Sequence, residues 1–352
     1  MGNTKLERPL RRTQIASTVA ALLLPAVVMA DVKLPEVAVG AGMRASYTSL
    51  ENGAGEDKRS NDFNLDSVRL FVSGSVTDTI KFNFNTDYDG SDEKVKVLDA
   101  LGRFEYSDTM NIWVGRFLPP TDRSNLSGPY YLSTWTFPAV QAYPAIFAGR
   151  DDGVAYWGQV GGGSFKWQAG AFEGVQQAEG ESDELLFAGR LTLNLWDPES
   201  GYYNSSTYYG EKEVLAFGLV GQSQDGESAY SLDALLETNL GPGVITLEGA
   251  YYMYDGLSGL GDSSGVLGGD ESDGYFVLGG YLFQPTGPGR LQPTIRYASG
   301  SVDKGPEGEV IDYNLNYILK GHSARISATY QTRSDELYGE DDAFILGVQL
   351  QM

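Results

Sequence analysis

Period-two alternation runs through almost the whole chain after Pro35, and no other feature restricts the fold so strongly. Val37, Val39, Ala41, Met43, Ala45 and Tyr47 alternate with Glu36, Gly40, Gly42, Arg44 and Ser46. Ile311, Tyr313, Leu315, Tyr317 and Leu319 alternate with Asp312, Asn314 and Asn316. The last nine residues repeat the pattern, with Phe344, Leu346, Val348, Leu350 and Met352 set against Gly347, Gln349 and Gln351. Successive side chains of a strand point to opposite faces, so each segment presents one apolar and one polar face. The chain is therefore expected to be all-β.

A soluble sandwich would show the same alternation, with its apolar faces packed together. Segment length argues for a membrane instead. The segments run to about ten residues, enough for a tilted strand to cross a bilayer. Aromatic residues crowd their ends, as at Tyr251, Tyr252 and Tyr254, or Tyr275, Phe276 and Tyr281, which is where interfacial aromatics belong. Connections alternate between short turns, such as Ser107 to Met110 and Lys320 to His322, and long acidic Gly-rich stretches, such as Glu51 to Ser60 and Asp255 to Asp273. Outer-membrane barrels place short turns at one end and long loops at the other. One connection breaks the rule: Trp196 to Gly210 is long on the short-turn side.

Strands are expected to start near residues 36, 63, 80, 95, 111, 153, 164, 184, 213, 229, 243, 274, 291, 310, 323 and 342. That is a transmembrane antiparallel β-barrel of sixteen strands, with fourteen or eighteen within the error of boundaries read this way. A barrel of that size leaves an aqueous channel.

The N-terminus reads as a secretory signal peptide. Basic residues end at Arg12, an apolar stretch runs from Ile15 to Met29, and Val28-Met29-Ala30 suits cleavage after Ala30. Residues 1–30 are thus expected to be removed and 31–352 to form the barrel. Removal of Lys5, Arg8, Arg11, Arg12 and Glu7 would take the net charge from −22 to −25. Such acidity argues against nucleic-acid partners. With no Cys and a single His, no thiolate or histidine metal site is expected, and no cofactor.

The stretch from Leu118 to Arg150 differs from the other long connections. It is weakly charged and carries Pro119, Pro120, Pro129, Pro138 and Pro144 among Tyr130, Tyr131, Trp135, Phe137, Tyr143 and Phe147. A long loop this apolar is expected to pack against something. It is expected inside the barrel, as the third external loop narrowing the lumen, with a lid or a subunit contact as the alternative.

These residues also carry a family resemblance. Val114-Gly115-Arg116-Phe117 closes one strand, and Gly149-Arg150-Asp151-Asp152-Gly153-Val154 opens the next. Val68-Arg69-Leu70 and Leu98-Asp99-Ala100 precede them, and Gly170 to Gly174 and Phe187 to Leu191 follow. The chain resembles the porin family of the phosphate-selective porins O and P, most clearly between residues 63 and 195. The resemblance implies an outer-membrane porin of a Gram-negative cell, usually a homotrimer, set among outer-membrane lipids and lipopolysaccharide. It would pass small hydrophilic solutes or ions by diffusion. It also implies an arginine ladder for anions. Arg69, Arg103 and Arg116 are expected on inward faces, with Arg123 and Arg150 at the ends of the loop. Asp122, Asp151 and Asp152 are placed near the constriction, where carboxylates would favour cations. Tyr130, Tyr131 and Trp135 are candidate lining residues. Phosphate specificity is not implied, because no lysine cluster is present and the chain is strongly acidic.

Other functions fit less well. His322 lies in a short turn beside Ser323 with no carboxylate orienter, so an enzyme is not expected. A barrel wrapped around a partner protein would be obstructed by the loop. A substrate-specific channel for organic acids or sugars remains as an alternative.

Overall fold

The computed structural model describes residues 37–53, 55, 57–90, 93–176, 184–261, 265–334 and 337–352. The expected signal peptide lies outside them. The strands are β1 (Val37–Leu50), β2 (Ser60–Ser75), β3 (Ile80–Asp89), β4 (Lys94–Ser107), β5 (Met110–Phe117) and β6 (Asp151–Val160). They continue as β7 (Phe165–Phe172), β8 (Leu186–Asn194), β9 (Val214–Gln224), β10 (Glu227–Leu240), β11 (Gly243–Asp255) and β12 (Ser272–Leu282). The last five are β13 (Pro285–Thr286), β14 (Gly289–Val302), β15 (Glu307–Lys320), β16 (Ala324–Ser334) and β17 (Ala343–Gln351). A single short helix, α1 (Arg123–Ser127), lies in the connection between β5 and β6.

The strand pairings are antiparallel and join successive strands, β12 pairing with β14 past the short β13, and β1 pairs with both β2 and β17. Met43 faces Leu350 and Tyr47 faces Leu346 across the seam. Met352 completes it, exchanging backbone hydrogen bonds with Ala41. The sheet is thus a closed sixteen-stranded barrel, with two-residue β13 outside the ring as an arm of the turn into β14. Every expected strand start falls within three residues of an observed one.

Alternation works here in the reverse sense to a soluble protein. Phe217, Leu219, Leu315, Leu346, Val348 and Leu350 are exposed on the outer face. Glu237, Arg296, Asp312, Asn316, Arg325 and Gln349 are buried on the inner one. A sandwich would bury the first set. A barrel in a bilayer gives it to lipid and keeps the polar set for the lumen.

Candidate functional site: the lumen and its two inserts

The connection from Leu118 to Arg150 folds into the lumen and touches most of the wall. Asp122 caps α1, accepting from the backbone N–H of Ser124 at 2.8 Å and of Asn125 at 3.3 Å. Gly128, at φ +65°, ends the helix. From there the chain runs across the inner face of β14–β17 and β1. Arg325 donates to Leu132 O at 2.5 Å, Asn316 to Ser133 O at 2.8 Å and Gln349 to Tyr130 O at 2.9 Å. Arg296 donates to Thr136 O at 2.9 Å and Phe137 O at 3.0 Å, and Arg44 to Trp135 O at 2.6 Å. A loop has backbone carbonyls with no ladder to join, and buried ones need donors. The inward arginines and amides of the wall supply them. Trp135 is held between guanidiniums, 4.0 Å from Arg44 and 5.8 Å from Arg325.

A second insert enters from the opposite end. Residues 195–213, the long connection on the short-turn side, rise into the lumen and meet the first insert. Arg123 forms two hydrogen bonds of 2.7 Å with the Glu199 carboxylate and a third with Ser205 O. Tyr202 donates to Leu118 O and stacks on Trp113 with ring centroids 4.6 Å apart. Wall residues hold this insert as well. Lys166 donates to Gly201 O, Tyr203 O and Asn204 Oδ1, and Gln168 donates to Tyr202 O. The Glu237 carboxylate accepts from Thr207 Oγ1 and from the N–H groups of Tyr208 and Gly210. His322 packs between Tyr131 and Tyr209, centroids 4.6 and 4.8 Å away, with Nε2 3.0 Å from Thr207 O.

Electrostatics explain why the inserts hold together. Burial pushes the Glu199 carboxyl up, but the Arg123 guanidinium outweighs it and holds it down at about 2. Asp122, buried without a facing guanidinium of its own, is raised by desolvation. Burial lowers the His322 imidazole to about 4, so it is neutral at neutral pH.

Among the described residues the inserts leave open a chain of three larger cavities, which runs along β1–β5 and ends at the β15–β16 turn. An outer one of about 460 Å³ reaches Asp89, Gly90 and Phe147. A middle chamber of about 690 Å³ follows, then one of about 650 Å³ ending at Lys320, His322 and Met352. Outer and middle cavities share Arg69 and Arg150. Middle and last share Phe71, Tyr131 and Gln351.

At the first junction, Arg69 donates from Nε to Asp87 at 2.7 Å and Arg150 from Nε to Asp99 at 3.2 Å. The Asp87 carboxylate is saturated, also taking Ser67 Oγ and the N–H groups of Val68 and Tyr88. Asp99 takes Asn85 as well as Arg150. All four side chains are buried alike, and Asp99 and Asp87 line the middle and outer cavities beside the arginines, but Arg69 keeps both Nη groups, and Arg150 one, without a protein acceptor among the described residues. Solutes at this junction therefore meet donors.

The sequence-derived candidates divide accordingly. Arg69, Arg103, Tyr130, Tyr131 and Arg150 line the middle chamber. Arg103 is paired with Glu105 at 2.8 Å and Trp135 borders a minor cavity beside Arg44. Asp122 and Arg123 are wholly buried and line none of these cavities; they join helix, insert and wall. Asp151 is also buried, accepting from Gly174 N at 2.7 Å. Arg116 needs correction. It pairs in register with Ala100 and Asp152, and in this part of β5 the inward positions are Asn111, Trp113 and Phe117. Arg116 and Asp152 thus face outward, joined by hydrogen bonds of 2.7 and 2.8 Å. An arginine can stand on that face because its carboxylate stands opposite. Sequence reading missed the second insert's contribution, above all Glu199, Tyr202, Tyr203 and Asn204. Its one signal was a turn too long for its side of the barrel.

Comparison with known proteins agrees with this architecture. The family model described as phosphate-selective porin O and P matches residues 37–195. No curated protein sequence matches the chain. Solved structures share the fold at low identity. An OmpF of Salmonella typhi has a TM-score of 0.62 at 13% identity, covering 90% of this chain and 98% of its own. An anion-selective porin from Comamonas acidovorans has 0.60 at 12%, covering 91% and 100%. The outer-membrane channel DcaP of Acinetobacter baumannii has 0.59 at 10%, covering 90% and 97%.

Proposed function

Taking as premise that residues 37–195 match the phosphate-selective porins O and P on a complete porin barrel, we propose that this chain is an outer-membrane porin. It passes small hydrophilic solutes by diffusion and favours anions. The junction of Arg69 and Arg150 carries this reading. The Asp87 carboxylate takes four donors and Asp99 two, while three guanidinium Nη groups are left to meet a solute at that junction, despite the net charge of −22. Guanidinium edges suit carboxylate and phosphate groups because they donate paired hydrogen bonds. Acidic side chains also line the path, among them Asp89 in the outer cavity and Glu105 in the middle one, where Lys96 and Arg103 pair with them.

Several further assignments belong to the same reading. Residues 1–30 are a signal peptide cleaved after Ala30, and 31–352 form the barrel in a Gram-negative outer membrane. The assembly is a homotrimer among lipid and lipopolysaccharide, a state that a structurally similar OmpT of Vibrio cholerae shows in its trimer form. The chain is no enzyme: its one histidine is buried between two tyrosine rings with Nε2 occupied.

The test is the reversal potential of the purified protein in a planar bilayer under a tenfold KCl gradient. Discrete conductance steps with a chloride-favouring potential are expected. A potassium-favouring potential would refute the anion preference, and the absence of any steps would refute the channel.

A further inference from the structure

Resting on that channel reading, we infer that the middle chamber is a binding subsite for a small aromatic oxyanion: an arene carboxylate bearing a hydrogen-bond acceptor on its far edge. The chamber's size and three features of its lining converge. Its volume of about 690 Å³ lies within the range of roughly 300–1,000 Å³ typical of small-molecule sites. At its junction with the outer cavity, the Nη groups of Arg69 and Arg150 without a protein acceptor can take a carboxylate. Between the ends lie aromatic faces. Phe71, Tyr131 and Tyr203 line the space, and Tyr131 and Tyr203 are 41% and 38% exposed although both lie inside the barrel.

The third feature is a pair of donors left over. Trp157 Nε1 and Asn204 Nδ2 are buried, belong to residues that line the chamber, and have no hydrogen-bond partner among the described residues. A buried donor left unpaired costs about 1–3 kcal/mol, so groups of this kind ordinarily meet an acceptor. Asn204 is fixed by Lys166, which donates to its Oδ1 at 2.5 Å and so leaves Nδ2 as the free end. An aliphatic carboxylate or inorganic phosphate would use the arginine edge alone. A ring-bearing anion with a phenolic or carbonyl oxygen would use the arginine edge, the aromatic faces and the leftover donors together. Wall and insert both contribute, so the subsite exists only when residues 195–213 are seated.

The experiment uses the purified, membrane-extracted protein, with 4-hydroxybenzoate as probe and acetate and inorganic phosphate as comparators. Isothermal titration should show one saturable 4-hydroxybenzoate site per chain. In planar bilayers, the probe should interrupt the KCl current at concentrations about tenfold below acetate. Tyr203→Leu should weaken the probe about three- to tenfold, as expected for loss of one aromatic contact, and leave acetate unchanged. Asn204→Asp, which keeps an acceptor for Lys166 and removes the donor, should weaken 4-hydroxybenzoate more than benzoate. Equal potency of all three anions, or equal weakening of all three by Tyr203→Leu, overturns the subsite and leaves the channel standing. Saturable binding without conductance steps would uphold the subsite and overturn the channel. Absence of both overturns both.

Discussion

The wall from β8 to β17 and the wall from β2 to β5 present the same kinds of inward side chain and use them in opposite ways. On the first, Arg190, Arg296 and Arg325 are fully buried, each donating to backbone carbonyls of the first insert. On the second, Arg69 and Arg103 each have a carboxylate partner but still border open cavities. What separates them is coverage. Where an insert lies over the wall, a lumen arginine becomes a structural donor. Where the insert brings only a ring, as Tyr130 does over Arg69, the guanidinium still borders the open cavities. An arginine ladder read from residue type alone would count both sets as one.

The largest way to break this contrast is Arg123→Met. It leaves Glu199 buried without its guanidinium, and removing one partner of a buried pair costs about 3–5 kcal/mol. The seam between the inserts should open, raising single-channel conductance and lowering the thermal midpoint of the purified protein. Lys166→Met acts on the same insert from the wall. Losing a charged donor to three acceptors should cost about 1.5–3 kcal/mol, read as a lower denaturation midpoint and noisier current.

Arg69→Gln belongs to the wall that borders the open cavities and should behave differently. It removes a charge at the junction worth about 1 kcal/mol in a water-filled space. Chloride preference should fall about fivefold, as measured by reversal potential, with a smaller fall in thermal midpoint than Arg123→Met, because Asp87 keeps Ser67 and two backbone N–H donors. A large stability loss from Arg69→Gln, or none from Arg123→Met, would erase the distinction between the walls.

The smallest effect is acid dependence. His322 is held below its usual value of about 6.5, at about 4, so its contribution is complete above the higher value and declines as pH falls between them. Glu199 is depressed from about 4.3 to about 2, so its contribution is present above the first value and lost as pH falls toward the second. Seating of the second insert should therefore be constant from pH 8 to 7, weaken slightly toward pH 5, and fail only in strong acid. Conductance recorded against pH checks the order of these stages.

Strand number, order and boundaries were legible because alternation is a local property: a strand between lipid and water must repeat every two residues whatever its neighbours do. Leu118 to Arg150 was legible as an insert because its prolines and aromatics are unlike a solvated loop. Arg116 was misplaced because its charge suggests the lumen although it shares the outward phase of Ile112 and Val114, and the Asp152 that makes an outward arginine tenable lies 36 residues away. The roles of Asp122 and Arg123 were hidden for another reason. Arg123's partners Glu199 and Asp233 lie 76 and 110 residues away, on separate elements, and Asp122 is fixed by Ser124, Gln141 and Tyr143 of its own loop, which only the folded loop brings together.

By itself the sequence determined a closed antiparallel barrel of about sixteen strands, apolar outside and polar within, with a long apolar insert. Only the tertiary structure decided that a second insert rises to meet the first, and that the open path is displaced to one wall. It also selected Arg69 and Arg150 from the lumen arginines to face that path. Alternation is encoded residue by residue, whereas coverage of a charged side chain depends on which distant backbone comes to lie over it.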